Sequence, residues 1–177
     1  MCPLPDTAHQ GRSIELSESD RHAPIVESPL VLHWQDEGQT QAFAQRLAQS
    51  PAIGHAFIEL RGELGAGKTT FVRHLLRALG VAGRIKSPTY AVVEPHQAPG
   101  LAIWHFDFYR FNDPREWEDA GFRDIFASKG VKLCEWPDKA TGVMPVADVS
   151  LHIEVNDNDE RLVTVQANTP RGEALLP

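Results

Sequence analysis

Apolar positions along this chain switch between a helical period and a strand period. Over residues 36–49, Phe43 and Leu47 fall on one face, and Asp36 is placed to cap the first turn. Over residues 69–79, Phe71, Val72, Leu75, Leu76 and Leu79 form one stripe, and Gly80 suits the left-handed position that closes a helix. Short runs at 29–34, 56–61, 90–94, 101–108 and 131–136 read as strands, with a turn at 96–100. Asp113-Pro114 predicts a helix start, the acid capping and the proline at the first helical position. That helix runs to Ala120, breaks at Gly121 and resumes through Phe126. Residues 149–155 and 162–167 predict a closing hairpin around 156–160.

Strands that alternate with helices predict an α/β fold, a P-loop NTPase-like three-layer sandwich with a mixed, largely parallel central sheet. In such sheets ligands bind at the carboxyl ends of the strands. Three polar features fall at predicted strand ends: the glycine-rich turn after residue 61, Asp107 and Glu135. The fold class therefore predicts that they converge. Residues 29–170 are assigned to the domain and 171–177 to a C-terminal tail. Residues 1–28, rich in Pro, Ser, Asp and Glu and without periodicity, are expected to be a disordered leader.

Composition narrows the setting. The chain has 177 residues, 42% of them hydrophobic, enough for one ordinary core. No apolar run approaches the ~18 residues of a membrane span, and no secretory signal pattern opens the chain. Cys2 and Cys134 lack the spacing of a disulfide framework or a zinc site, which fits a reduced, cytoplasmic setting. The net charge of −7, without a Lys/Arg cluster, argues that any nucleic acid is held by another subunit.

Gly62-Glu63-Leu64-Gly65-Ala66-Gly67-Lys68-Thr69 matches G-x-x-x-x-G-K-[ST] between a predicted strand and a predicted helix, the context that confirms the motif. The glycines let successive backbone N–H groups face one phosphate, and the following helix adds its positive end. Lys68 is placed for the β- and γ-phosphates, and the Thr69 hydroxyl for magnesium. Such a site needs a further acid on the far side of the metal. Asp107 and Glu135 both qualify, and spacing alone leaves open which faces metal and which faces water.

The longer pattern resembles the TsaE family, the small ATPases of bacterial tRNA threonylcarbamoyladenosine biosynthesis. The matching stretches run from Gly62 to Phe71, then Lys86-Ser87-Pro88-Thr89-Tyr90, His105-Phe106-Asp107-Phe108-Tyr109-Arg110, the Glu118 to Gly121 region and Glu135-Trp136-Pro137. Order and spacing agree from about Leu32 to Ala167. The resemblance implies slow ATP hydrolysis with Mg2+, action with TsaB and TsaD, and contact with tRNA only through that complex, without a membrane. It implies Thr69 and Glu135 as metal ligands, and Lys68, Asp107 and Glu135 as the catalytic set. Nucleotide contacts are expected at Thr40, Glu63, Leu64, Gly65, Ala66, Gly67, Lys68, Thr69, Thr70, Thr89 and Trp136. Thr89 is expected on a switch-like loop, and His105 as a structural hydrogen-bond partner rather than a base. Tyr109 and Arg110 are read either as a partner surface or as braces of the sheet edge, Arg110 also as a possible arginine finger in cis. Phe108 stands where Leu is usual in the family, and Glu63 where Asp is frequent.

Rival classes lack their own marks. A small-molecule kinase of this size carries an Arg-rich lid, and a regulatory GTPase an Asn-Lys-x-Asp motif; neither is present. A nucleotide-dependent scaffold without significant hydrolysis is disfavoured by the presence of both Asp107 and Glu135.

Overall fold

The computed structural model describes residues 28–176, so all but the last residue of the expected leader lies outside the described residues. Seven strands form one sheet in the order β1-β7-β6-β2-β5-β4-β3. They span Leu30–Trp34 (β1), Phe57–Arg61 (β2), Val93–Ala98 (β3), Leu101–Asp107 (β4), Val131–Glu135 (β5), Val149–Val155 (β6) and Arg161–Ala167 (β7). The central strands β6, β2, β5 and β4 run parallel, while β1, β7 and β3 join antiparallel at the edges. The sheet is therefore mixed with a parallel centre, as the alternation of elements predicts.

Helices cover both faces. On one lie α1 (Glu37–Gln49) and α2 (Lys68–Ala78). Asp36 caps α1, its carboxylate accepting the Gln39 N–H. In α2 the buried residues are Lys68, Phe71, Val72, Leu75 and Leu76, one stripe at helical spacing. The four apolar ones pack with Ile58, Leu60, Ile103, Val131, Leu133 and Leu151 of the sheet. The other face meets α3 (Arg115–Asp119) and α4 (Phe122–Ala127) through an aromatic cluster of Phe57, Phe106, Phe108, Phe111, Trp117 and Phe122. Between them Gly121, at φ 73°, takes the left-handed conformation that breaks the helix.

Three boundaries differ from the sequence reading. The strand expected at 90–94 begins at Val93 and runs to Ala98, through residues read as a turn. Pro95 and His96 are weak strand formers. However, β3 is an edge strand paired to β4 on one side, so the missing N–H of Pro95 leaves no ladder bond unmade. Asp113 sits one residue outside the start of α3. It still caps, accepting the Arg115 N–H at 2.9 Å, while Glu116 accepts the Asp113 N–H at 3.0 Å. Finally, the segment read as a tail is helical: α5 spans Pro170–Leu175, Thr169 caps it through the Gly172 N–H, and Leu175 is buried in the core.

Candidate functional site

Strand order brings the three polar features together. β2, β5 and β4 are adjacent and parallel, with Glu135 opposite both Leu60 and Asp107 in register. Period-2 alternation then directs each side chain. Leu133 packs under α2, so Glu135 faces the same way. Ile103 lies on that face too, so His105 and Asp107 do as well.

The turn from β2 into α2 depends on glycine. Gly62 has φ 134°, and a Cβ there would lie 2.2 Å from the Ile153 carbonyl oxygen, so only glycine fits. Gly65 and Gly67 also have positive φ, and the Gly67 carbonyl accepts the Phe71 N–H at 2.9 Å, opening α2. A cavity of about 210 Å³ lies over this turn. Ten expected site residues meet there: the loop from Leu64 to Thr70 without Ala66, Thr89 from the loop before β3, and Asp107, Glu135 and Trp136 at the ends of β4 and β5; Tyr109 joins them.

Inside it, the Thr69 hydroxyl lies 2.9 Å from both oxygens of Glu135. Lys68 Nζ donates to the carbonyls of Gly62 (2.6 Å) and Glu63 (2.8 Å) and sits 4.1 Å from the centre of the Trp136 ring. Burial pushes the Lys68 ammonium below the usual lysine range, against the opposing pull of Glu135, Asp107 and Glu63. Asp107 is held from three sides. Its Oδ2 accepts from Thr89 at 2.5 Å and Ser87 at 3.2 Å, and its Oδ1 accepts the Tyr109 N–H at 3.0 Å. Two non-glycine residues beside the site have left-handed backbones, Trp136 at φ 59° and Val92 at φ 68°. For the β-branched Val92 this is an outlier that stores strain next to the Asp107 strand, where its carbonyl accepts the Asp107 N–H.

A second cavity of about 160 Å³ shares Gly67 and Thr70 with the first and extends away from it. Thr40, expected as a nucleotide contact, lines it and is buried. Ala66 lines it too. Asp36, Trp34, Glu37 and Arg161 complete its wall, and the last three have no mark in the sequence. Trp34 and Arg161 are partners in the β1–β7 register, a pairing that only the sheet topology reveals. Glu63 lines neither cavity and contributes its carbonyl to Lys68. Arg110 stacks over Tyr90 at 4.1 Å, outside both cavities, rather than reaching in as a finger.

The donor set fits a hard cation beside a polyphosphate. Thr69 and Glu135 bring oxygen ligands together, and magnesium takes only one or two protein oxygens, the remainder coming from phosphates and water. Among the described residues no cluster of three or more His, Cys, Asp or Glu forms a separate metal cage. Nor is any helix among them long and apolar enough to cross a membrane.

Comparison with known proteins bears on what this geometry serves. The model of the family described as threonylcarbamoyl adenosine biosynthesis protein TsaE matches residues 34–163. The chain is 40% identical over 134 residues to a tRNA threonylcarbamoyladenosine biosynthesis protein TsaE of Haemophilus influenzae, covering 76% of this chain and 84% of that one. A protein of the same description from Bacillus subtilis is 34% identical over 137 residues, covering 77% and 85%. The crystal structure of Bacillus subtilis YdiB superposes with a TM-score of 0.70 at 28% identity, covering 86% of this chain and 94% of that one.

Proposed function

From the premise that this chain belongs to the TsaE family, we propose that it binds ATP with Mg2+, hydrolyses it slowly and supports threonylcarbamoyladenosine formation in tRNA together with TsaB and TsaD. The observation that carries the reading is the pairing of the Thr69 hydroxyl with the Glu135 carboxylate at 2.9 Å, at the foot of the glycine-rich loop and beside Asp107. Threonine at a P-loop and an acid at a neighbouring strand end are the oxygen pair that such sites set around magnesium.

The residues divide the work. The loop N–H groups and the start of α2 receive the phosphates. Lys68 exchanges the two carbonyls it holds for phosphate oxygens, a favourable trade for an ammonium group that burial has stripped of water. Thr69 and Glu135 would hold the metal, which would supply positive charge beside the phosphates when bound. The base end of the nucleotide extends past Gly67 and Thr70 into the second cavity, towards Thr40 and Arg161. Asp107 orients the attacking water and accepts its proton.

Slow turnover by the isolated protein follows from the hold on Asp107. Its Oδ2 is occupied by Thr89 and Ser87, so that oxygen becomes free to take a proton from water only when the loop carrying them moves. The γ-phosphate draws Thr89 away and reshapes the surface around Tyr90, which is 85% exposed and stacked on Arg110. A partner that binds this reshaped loop then favours the hydrolytic arrangement.

The test has two stages. ATP, GTP, ADP and no nucleotide are compared by calorimetry with and without Mg2+; equal binding of GTP and ATP, or no effect of the metal, defeats the nucleotide reading. Modification of tRNA by TsaB and TsaD is then measured with and without this chain. Intact ATP binding without any effect on modification removes the pathway role and leaves the nucleotide site. A phosphorylated small-molecule product in place of free phosphate makes it a kinase.

A further inference from the structure

Among the described residues, His105 is the one fully buried ionisable side chain beside the site whose task the nucleotide reading does not use. It sits two residues before Asp107 on β4, on the site face, diagonal to Glu135 across the β4–β5 register. Its Nε2 lies 2.8 Å from Glu135 Oε1. Its Nδ1 is buried and meets no partner among the described residues. A neutral imidazole carries one N–H, and that proton belongs on the nitrogen that faces an acceptor. The proton is therefore on Nε2, and His105 donates to Glu135.

The neighbour on β3 agrees with this assignment. His96 pairs with Ile103 in the β3–β4 ladder and so stands diagonal to His105 on the same face. Its Nε2 is likewise buried and without a partner. Burial holds the His96 imidazole below its usual range, against the opposing pull of Glu94. Glu94 stands opposite His105 in the β3–β4 register but is exposed and makes no hydrogen bond to it, so among the described residues the imidazole donor has one destination, Glu135.

We propose that His105 is a positioning residue which commits Glu135 Oε1 to a fixed hydrogen bond; the Thr69 hydroxyl lies 2.9 Å from both oxygens, so it is the bond from His105 that leaves Oε2 as the oxygen offered to the metal. A carboxylate free to rotate presents either oxygen, or both, and loses orientation on binding. One locked by a buried donor is prepared beforehand, which is how outer partners of metal ligands act elsewhere. The inference rests on Glu135 serving the metal.

Affinity for ADP is measured with Mg2+ and with EDTA in the parent, His105→Leu and His105→Gln. Leucine fills the space without a donor, and glutamine restores an N–H at similar reach. The expected result is a loss of about 10–100-fold in the magnesium-dependent part of the affinity in His105→Leu. Binding in EDTA stays unchanged, and His105→Gln recovers most of the loss. Equal magnesium dependence in all three overturns the positioning role and leaves the nucleotide reading intact. Absence of magnesium dependence in the parent overturns both. Should His105→Leu fail to fold, nitrogen NMR of the unaltered protein decides. A proton on Nε2 supports the assignment, and a proton on Nδ1 overturns it.

Discussion

Two faces of the same strands do different work in this protein, one residue out of step. On β4, Ile103, His105 and Asp107 face α2, while Trp104 and Phe106, with Phe108 just past the strand, face α3 and α4. On β5, Leu133 and Glu135 face α2, and Cys134 faces the aromatic cluster. The aromatic face is held by ring contacts, Phe106 against Phe126 at 4.9 Å and Phe122 at 5.2 Å, and Phe108 against Phe111 at 4.7 Å. The other face, at its carboxyl end, buries Lys68, His105, Asp107 and Glu135, groups whose desolvation opposes folding unless hydrogen bonds offset it. The lesson is that a sheet separates stability from chemistry by the pleat alone. Adjacent residues are expected to fail in different ways when changed.

Asp107→Asn gives the largest contrast. Removing the proton acceptor while keeping its shape is expected to lower ATP hydrolysis by about 10²–10⁴-fold, the usual contribution of a general base. Stability should stay within about 1 kcal/mol of the parent, since asparagine retains an oxygen for the Tyr109 N–H and its amide N–H can donate to the Thr89 and Ser87 hydroxyls, which turn to accept. Phosphate release followed at saturating ATP, alongside urea unfolding, checks both halves. Hydrolysis within tenfold of the parent contradicts the role given to Asp107.

Its neighbour behaves in the opposite way. Phe106→Ala empties a fully buried ring position and is expected to cost about 3–5 kcal/mol of stability. Nucleotide affinity of the folded fraction should change little, because the ring points away from the cavity. If the midpoint in urea barely moves while ADP binding collapses, the assignment of the two faces is reversed.

The separation of faces is legible in the sequence because it is local. Trp104-His105-Phe106-Asp107 alternates within four residues, and the phosphate loop is one continuous motif, so neither needs knowledge of the fold. Strand ends also foretell that Asp107 and Glu135 meet, since parallel strands present their carboxyl ends on one side. What escapes sequence reasoning is assembled from distant parts. The wall of the second cavity needs β1 beside β7 to bring Trp34 and Arg161 together, and nothing near either residue announces the pairing. β3 is missed for a different reason: Pro95, His96 and Gln97 form strand by pairing with β4, a tertiary effect that overrides their propensity. Leu175 gives α5 its place in the core, though seven residues at a chain end carry too little periodicity to reveal it.

Cys134 sharpens the contrast chemically. It lies on the aromatic face, next to Glu135 on the site face. Burial first, and then the charges of Glu59, Glu135 and Asp107, push its thiol well above the usual range. In a Cys2→Ser background, iodoacetamide is expected to leave Cys134 unmodified at pH 8 until urea unfolds the chain. Phe106→Ala should increase its labelling in step with the lost stability, and Asp107→Asn should not. Rapid labelling of the folded parent places Cys134 outside a packed core.

The smallest effect concerns the edge of the aromatic face, where Asp113 caps α3. The hydrogen bonds from Arg115, side chain and backbone, hold its carboxyl at about 2, below the ordinary 3.8. A carboxyl lowered in the folded state favours folding above its unfolded value, and the benefit is lost as pH falls through the folded one. Capping of α3 should therefore be complete above pH 3.8 and fade towards pH 2. Because Trp117 is the buried residue of α3 and Trp34 lies in the opposite core, their indole signals report the two faces separately. Acid should shift Trp117 before Trp34, and Asp113→Asn at neutral pH should shift Trp117 alone. Identical movement of both signals shows that α3 does not loosen on its own, and that the two faces, however different their chemistry, open as one unit.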